Sequence, residues 1–435
     1  MFRGSAAAPA LLVLLASAST AAFSATPALS SFHRPTAVRG GGATSLTMAE
    51  QPKNIVVCGG GIVAASLAYQ LSLRGVSATV VERASVAAAA SGKAGGFLAR
   101  GWGSGPTRQL HEVSFDMHEQ LAKDLGLKGW RKLPTLSVSG GKRSNNVQAG
   151  MEKGEVPTWL DQGVSKASLM ATDTAQTTPF ELTNAMMDAA VANGASVKIG
   201  KVEGMKLDGD KVVGVVVDGE TVPADCVVIA MGPWSCMAED WFPDFSLPME
   251  GVRSTSVVFK TETAVDPFAL FCAEDNNGCH LEVYPRNSNE IYLCGIGGSQ
   301  YLNNQMLKKV SPEEITADPA RVKAAEKSFG AMASIGSKGS DIQQACMRPC
   351  PPDALPYMGV IPGMTNAYMA AGHNCWGILW APVTGKAMTE LILDGKASCV
   401  DLSAFDPGRF TKRKGGDAKG KRGRAQGEAP VGEQW

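Results

Sequence analysis

The sequence predicts an α/β fold in which a Rossmann-like domain, opened by a βαβ unit, is interleaved with an α+β domain that carries an antiparallel sheet. Two observations predict it. The run Ile55-Val-Val-Cys-Gly-Gly-Gly-Ile-Val-Ala-Ala-Ser66, closed by Val80-Val-Glu82, sets strand, glycine turn, helix and second strand in the order of such a unit. Farther on, Gly251 to Gly298 forms a set of alternating apolar and polar runs, the pattern of strands buried on one face.

Ile55 to Val57 are apolar and β-prone, Gly59 and Gly61 make the tight turn, and Ile62 to Arg74 is an apolar helical run stopped by Gly75. A dinucleotide pyrophosphate rests on backbone N–H groups at such a helix N-terminus, which brings Ile62 into the candidate site with the glycines. Glu82 stands 23 residues beyond Gly59, the spacing from which an acid hydrogen-bonds ribose hydroxyls, and Arg83 beside it is grouped with the site. Ala64 replaces the third glycine, which only needs to be small where helix meets strand. An acid rather than Arg or Ser at position 82 speaks against a 2′-phosphate, hence for FAD or NAD over NADP. The alternative for these glycines is a plain turn in an apolar βαβ unit.

Past Glu82, the stretch Ala87 to Leu98 is dense in small residues, and such backbone can lie against a flat ligand; Ser91, Gly92, Lys93 and Gly95 are its candidate cofactor contacts. Pro106 opens an amphipathic helix with Leu110, Val113, Met117, Leu121 and Leu125 at helical spacing. Trp130 to Val138, and an irregular stretch from Ser139 to Ser168, begin a separate sheet region. Thr178 caps a helix with Pro179 in its first turn, running to Gly194. Short strands follow at Ser196–Ile199, Gly204–Asp208, Lys211–Val217 and Cys226–Ala230, the last ending at Gly232 as a strand beside a ligand does. The alternating set includes His280–Arg286 and Glu290–Gly295, a helix is expected from Pro312 to Met332, and the chain returns to the first domain from Ile342. The expected division is a leader at 1–50, cofactor-binding segments at 53–105, 178–245 and 341–410, substrate-domain segments at 106–177 and 246–340, and a basic tail at 411–435.

The chain has 435 residues, enough for two interleaved domains. Lys plus Arg and Asp plus Glu balance at 41 each, so no overall field draws it to nucleic acid. Ten cysteines include no Cys-x-x-Cys pair, and no His lies at zinc spacing, so they read as reduced, buried thiols and no metal site is expected. Arg3 followed by Ala10-Leu-Leu-Val-Leu-Leu-Ala16 has the form of a signal peptide, too short to span a membrane. The Ser/Thr-rich, basic stretch after Phe23 resembles a transit peptide, and the tandem resembles the bipartite leader of algae with secondary plastids. A plastid stroma is the expected location, with the cytoplasm or endosomal system as alternatives. No stable membrane insertion is expected, and the oligomeric state stays open.

Four motifs then carry a resemblance: Gly59-x-Gly with Glu82, Ser91-Gly-Lys-Ala-Gly95, Ala230-Met-Gly-Pro-Trp-Ser235, and Ala370-Ala-Gly-His-Asn-Cys-Trp-Gly-Ile-Leu-Trp-Ala-Pro-Val-Thr-Gly385. In this order, over roughly residues 54 to 410, the chain resembles the D-amino-acid oxidase family of FAD oxidoreductases, with glycine and sarcosine oxidases among its members. The motifs look closest to a branch that includes a fungal protein linked to endosome-to-Golgi transport. The resemblance implies FAD and hydride transfer to flavin N5 from the C–N bond of a small amine or amino acid. It implies that the helix from Gly377 aims the Ile378 and Leu379 amides at the flavin, that His373 is cofactor-proximal, and that Arg348 clamps a substrate carboxylate. Tyr284 matches a residue covering the substrate, and Cys346 the position where some relatives bond the flavin covalently. The lysine that some sarcosine-oxidase relatives use toward oxygen has no counterpart in Ile291 to Gly298, so oxygen or another acceptor stays open. Two other readings are a flavin-bound protein with a trafficking or interaction task, and an NAD-dependent dehydrogenase.

Overall fold

The computed structural model describes residues 51–411; the expected leader lies outside them, as does the tail beyond Thr411. The expected α/β architecture is present. A six-stranded sheet runs in the order Tyr357–Val360, Ala367–Ala371, Cys226–Ile229, Ile55–Cys58, Ala78–Glu82, Ser196–Ile199, parallel except for its Tyr357–Val360 edge. All four residues of Ile55–Cys58 are buried because both faces of the sheet are covered. Ile55 and Val57 point into a cluster shared with the helices Ile62–Leu73, Thr107–Asp124, Pro179–Ala192 and Gly377–Asp394. Val56 and Cys58 point the other way, toward a three-stranded meander of Val202–Asp208, Lys211–Val217 and Glu220–Pro223. Glu220–Pro223 escapes the sequence reading because four exposed or half-exposed residues carry no alternation.

The second sheet has eight strands, with Glu250–Lys260 paired to Glu290–Cys294, which pairs in turn with Glu282–Arg286. Ile342–Cys350 lies antiparallel to Glu250–Lys260 along nine residue pairs, from Glu250 with Cys350 to Val258 with Ile342. The chain therefore has not rejoined the parallel sheet at Ile342, as the sequence reading has it, but does so after Pro351. The stretch expected to be irregular, Ser139 to Ser168, holds a helix at Asn145–Glu152 and most of a strand at Val164–Ala171. That helix buries only Val147 and Gly150, and the strand's outer half is exposed, so neither shows a period. The helix expected over Pro312 to Met332 is broken. Pro319 holds Asp318 in an extended conformation, where its carboxylate caps the N–H groups of Ala320 and Arg321 and starts a new helix, Pro319–Gly330. Among the described residues no helix is long and apolar enough to cross a membrane.

The helix Thr107–Asp124 buries a different stripe from the apolar one. Leu110 and Leu121 are inside, but the seam between them is His111, Ser114, Phe115 and His118, while Val113, Met117 and Leu125 are half-buried. The reason lies in the helix it faces. Pro382, inside Gly377–Asp394, has no N–H to give Ile378. His118 Nε2 lies 3.0 Å from the Ile378 carbonyl and 3.1 Å from that of Leu379, and the Val383 N–H donates to Ser114 Oγ at 3.2 Å. Two polar residues one turn apart thus repair the break that the proline makes. To donate to carbonyls through Nε2, His118 is neutral with the proton on that nitrogen, and burial lowers its pKa from 6.5 to about 4.

His373, whose Nε2 meets Thr384 Oγ1 at 3.0 Å on the same helix, is lowered by burial to about 3. His111, edge-on to Trp376 and Trp380, is lowered too, by burial against the Ala99 hydrogen bond. Free imidazole takes its proton near 6.5, whereas these three refuse it until lower pH. Their stabilisation is complete above pH 6.5 and drains away as pH falls toward their folded values. The urea midpoint is therefore expected to drop between pH 7 and 5, by less in a His118→Gln variant, whose side chain does not titrate. A wild-type midpoint flat over that range would contradict the burial of neutral histidines.

Candidate functional site

The carboxyl ends of the five parallel strands open on one cavity of about 430 Å³, as a doubly wound sheet provides. Gly59, Glu82, Gly200, Ala230 and Ala371, each ending or directly following a strand, all line it. The opposite wall is the inner face of the antiparallel sheet. Gly59 adopts φ +105°, and a Cβ there would sit 2.5 Å from the Ala230 carbonyl oxygen, so only glycine fits where two strands converge. The Gly60 N–H donates to Glu82 Oε2 at 2.6 Å and the Ala84 N–H to Oε1 at 2.9 Å, which orients the carboxylate at the cavity wall.

Ser91 serves the helix N-terminus: its Oγ accepts from the Ile62 N–H at 2.9 Å, supplying the cap that Gly61 has no side chain to give. Arg83 pairs with Glu313 at 3.2 Å, and both line the cavity with their side chains half exposed. Gly232 lines it with φ +55°, and a Cβ there would meet nothing within 4 Å. Gly61, Ile62, Lys93 and Gly95 also line it, but Gly92 does not; its missing Cβ makes room for the Ala87 carbonyl, 2.1 Å from where a Cβ would be.

The loop from Ser91 to Gly96 is held by its carbonyls. Gln344 donates to that of Lys93 at 3.0 Å, Arg286 to that of Ala94 at 3.1 Å, and Gln176 to that of Gly95 at 3.3 Å. Gly95 lies so close to the second sheet that a Cβ would be 2.7 Å from Tyr284 and 2.9 Å from Tyr292. From the far side come Gly377 and Ile378, at the start of the helix repaired by His118, whereas Leu379 is fully buried behind them and its carbonyl serves His118. His373 touches the cavity wall but commits Nε2 to Thr384 and stays neutral.

The period of two sorts the second sheet. Val283, Ile291, Leu293, Val257 and Phe259 enter its own core, while Glu282, Tyr284, Tyr292, Cys294, Ser254, Ser256, Cys346 and Arg348 line the cavity. Tyr284 stacks between Phe97 and Tyr292, at centroid distances of 5.2 and 6.3 Å, and its hydroxyl donates to Glu282 Oε2. Burial, then the Glu282 charge, pushes its phenol well above the ordinary range. Arg348 Nη2 donates to Ser254 Oγ at 3.1 Å. Burial works against the Arg348 charge, but its surroundings raise its pKa above the ordinary guanidinium value all the same. Burial raises the Cys346 thiol, against the pull of Arg348 and Lys93, so it is protonated at neutral pH.

Arg348, Tyr284 and Cys346 thus meet the glycine cradle in one cavity. Sequence reasoning missed Glu282 and Cys294, although they sit two residues from Tyr284 and Tyr292 and so share their face. It also missed Trp102, Phe271 and Trp376, which wall the same end with ring centroids 5.2 to 6.3 Å apart. Only tertiary folding brings those three together.

The family model described as FAD dependent oxidoreductase matches residues 54–391. "Putative oxidoreductase C1F5.03c" of Schizosaccharomyces pombe is 27% identical over 391 residues, covering 82% of this chain and 98% of its own. The glycine oxidase of Geobacillus kaustophilus is 23% identical over 387 residues, covering 81% of this chain and 96% of its own. The crystal structure of glycine oxidase from that organism superposes with a TM-score of 0.66 at 20% identity, over 82% of this chain and 99% of the other. L-proline dehydrogenase from P. horikoshii shares the fold with a TM-score of 0.65 at 19% identity, over 83% and 98%.

Gly59, Gly61, Gly95 and Gly232 line the cavity with backbone alone, and at Gly232 the space a Cβ would take is open, which fits the close approach of an FAD dinucleotide. Gly95→Ala drives a methyl into two buried tyrosine rings, an overpacking worth about 1–3 kcal/mol. The expected result is a fall in FAD bound per chain, read from the 450 nm absorbance of the purified protein; full occupancy would show that the loop does not form the cofactor wall.

Proposed function

The chain belongs to the DAO family of FAD-dependent oxidoreductases, and we propose that it oxidises the C–N bond of a small amine or amino acid whose carboxylate Arg348 holds. One observation carries this reading: a half-buried arginine, braced by Ser254, lines the cavity together with the glycine cradle and the start of the helix Gly377–Asp394. When bound, the flavin accepts at N5 the hydride that leaves the substrate carbon. The rest falls to side chains. A planar guanidinium takes a carboxylate through two parallel N–H bonds and so fixes the direction of the neighbouring C–H. The Gly377 end of the helix offers its dipole and the Ile378 backbone toward the cavity, where it favours added negative charge.

Phe97, Trp102, Phe271, Tyr284 and Trp376 wall the reacting end and keep water from it. His373 is given no proton-transfer role in this scheme, because its Nε2 is bonded to the buried Thr384 and burial lowers its pKa to about 3, which makes it a weak base. The resemblance to glycine oxidase supports the substrate class without naming the substrate.

Arg348→Ala is expected to raise the KM of the amino acid that best bleaches the enzyme by about tenfold or more, the worth of a charge-assisted bidentate contact. An unchanged KM would sink the assignment. Attachment of the flavin through Cys346 is part of the proposal, since its thiol lines the cavity beside Lys93 and Arg348. Acid-precipitated protein should then form a yellow pellet that Cys346→Ala abolishes, and a colourless wild-type pellet would refute the bond.

A further inference from the structure

Trp102 stands where the cavity comes nearest to solvent. It is half-buried and lines the cavity, while Gly101 before it and Ser104, Gly105 and Pro106 after it are exposed. The segment that carries it is tied at both ends and not between. Toward Ala99, the Arg100 N–H donates to the Asp173 carbonyl at 3.1 Å, and its guanidinium holds both oxygens of Asp116, each at 3.1 Å. Toward the helix Thr107–Asp124, the Thr107 N–H donates to the Ser104 carbonyl at 3.0 Å, and Thr107 Oγ1 accepts from the Ser104 N–H at 3.2 Å. No described residue bonds the backbone N–H or carbonyl of Gly101, Trp102 or Gly103. A segment without backbone hydrogen bonds opens at low cost.

What keeps this arch down is ring contact and one close approach. The Trp102 ring centroid lies 5.3 Å from that of Phe97, 5.2 Å from Phe271 and 6.3 Å from Trp376. Single aromatic pairs are weak, so three of them hold the arch shut without locking it. At Gly103 a Cβ would lie 2.8 Å from Arg108 Cα and 2.8 Å from His111 Cδ2, so the arch rests on the helix where no side chain fits. Phe271 and Tyr284 stand on paired strands, and Trp376 on the turn that begins the helix Gly377–Asp394. The arch is therefore the part of this end that can move without breaking a ladder or a helix.

We propose that residues 100–106 form a gate, in which the Trp102 ring closes the reacting end and swings outward with Gly101 and Gly103 to pass small ligands. Closed, the ring keeps water from the reacting end. Open, it gives a substrate its way in and a product its way out. The gate goes beyond the proposed reaction and does not rest on the role given to Arg348, because it acts on whatever small molecule passes.

The test uses the flavin-loaded protein and sulfite, a small nucleophile that adds to oxidised flavin and bleaches its visible absorbance. Rapid mixing gives the association rate and dilution the dissociation rate. Trp102→Ala removes the ring, whereas Gly103→Ala keeps it and pushes the arch off the helix. Both variants are expected to raise the two rates together, by about tenfold for Trp102→Ala, the worth of one or two ring contacts, while Kd stays within about threefold. A gate alters the path and not its ends. Rates equal to wild type in both variants would overturn the proposal. So would a change confined to one rate, which shifts Kd and makes Trp102 part of a binding surface rather than a passage. Where sulfite adds to none of the forms, iodide quenching of flavin emission decides: stronger quenching in the variants supports the gate, and equal quenching overturns it. If Trp102→Ala does not retain flavin, Gly103→Ala carries the comparison. Neither probe is an amine or an amino acid, so failure of the gate is distinguishable from failure of the proposed reaction.

Discussion

The site depends on the contact between two helices whose first turns both reach the cavity. Ile62–Leu73 and Gly377–Asp394 pack so closely that a Cβ on Gly385 would lie 2.2 Å from Ser66 Oγ. Small residues at that crossing fix the two helices against each other, and with them the distance between the glycine cradle at one N-terminus and the reacting end at the other. Each terminus also needs help from outside. Ser91 caps the first, and His118 with Ser114 closes the gap that Pro382 opens in the second. An unpartnered buried carbonyl costs about 1–3 kcal/mol, so the position of Ile378 and the burial of two polar side chains on the facing helix are one constraint.

The antiparallel sheet answers this frame with a wall of its own. Because side chains alternate, one set of strands builds a dry core and a polar cavity face at once. The same face reaches back to the loop at Ser91–Gly96 through Gln344 and Arg286, each of which binds a loop carbonyl. The loop thus has its carbonyls turned to the second sheet and held there. A shift of one residue in register would move Arg348 and Tyr284 into the dry core and expose valines to the cavity, so the pairing that fixes the sheet also fixes the site.

What could be read from the sequence was what lies close along it. The glycine turn and Glu82 belong to a single βαβ unit, and their spacing alone places them at the cavity. Arg348 and Cys346 are separated from that unit by more of the chain than any local pattern spans, and only the resemblance brought them in. The strand that carries them was not legible, because a run of Ala, Cys, Met and Arg has no alternation to reveal its partner. Glu282 was within reach, since alternation puts it on the face of Tyr284, but an acid in a strand reads first as a solvent-facing residue. The histidine seam was hidden for a related reason: His111, Ser114 and His118 look like a polar face until Pro382, far along the chain, supplies the carbonyls they answer.

Cysteine is abundant around Arg348, and there it packs rather than ionises. Cys346, Cys350 and Cys375 all interact with the guanidinium, and burial pushes each thiol upward, to about 12 for Cys350 and Cys375. A thiolate in that position would neutralise Arg348 and compete with a substrate carboxylate. A protonated thiol packs as a small, polarisable group and does not cancel that charge. The same holds for Cys294, which donates weakly to Glu282 without cancelling it. The thiols at this end of the cavity thus fill space without adding charge to it.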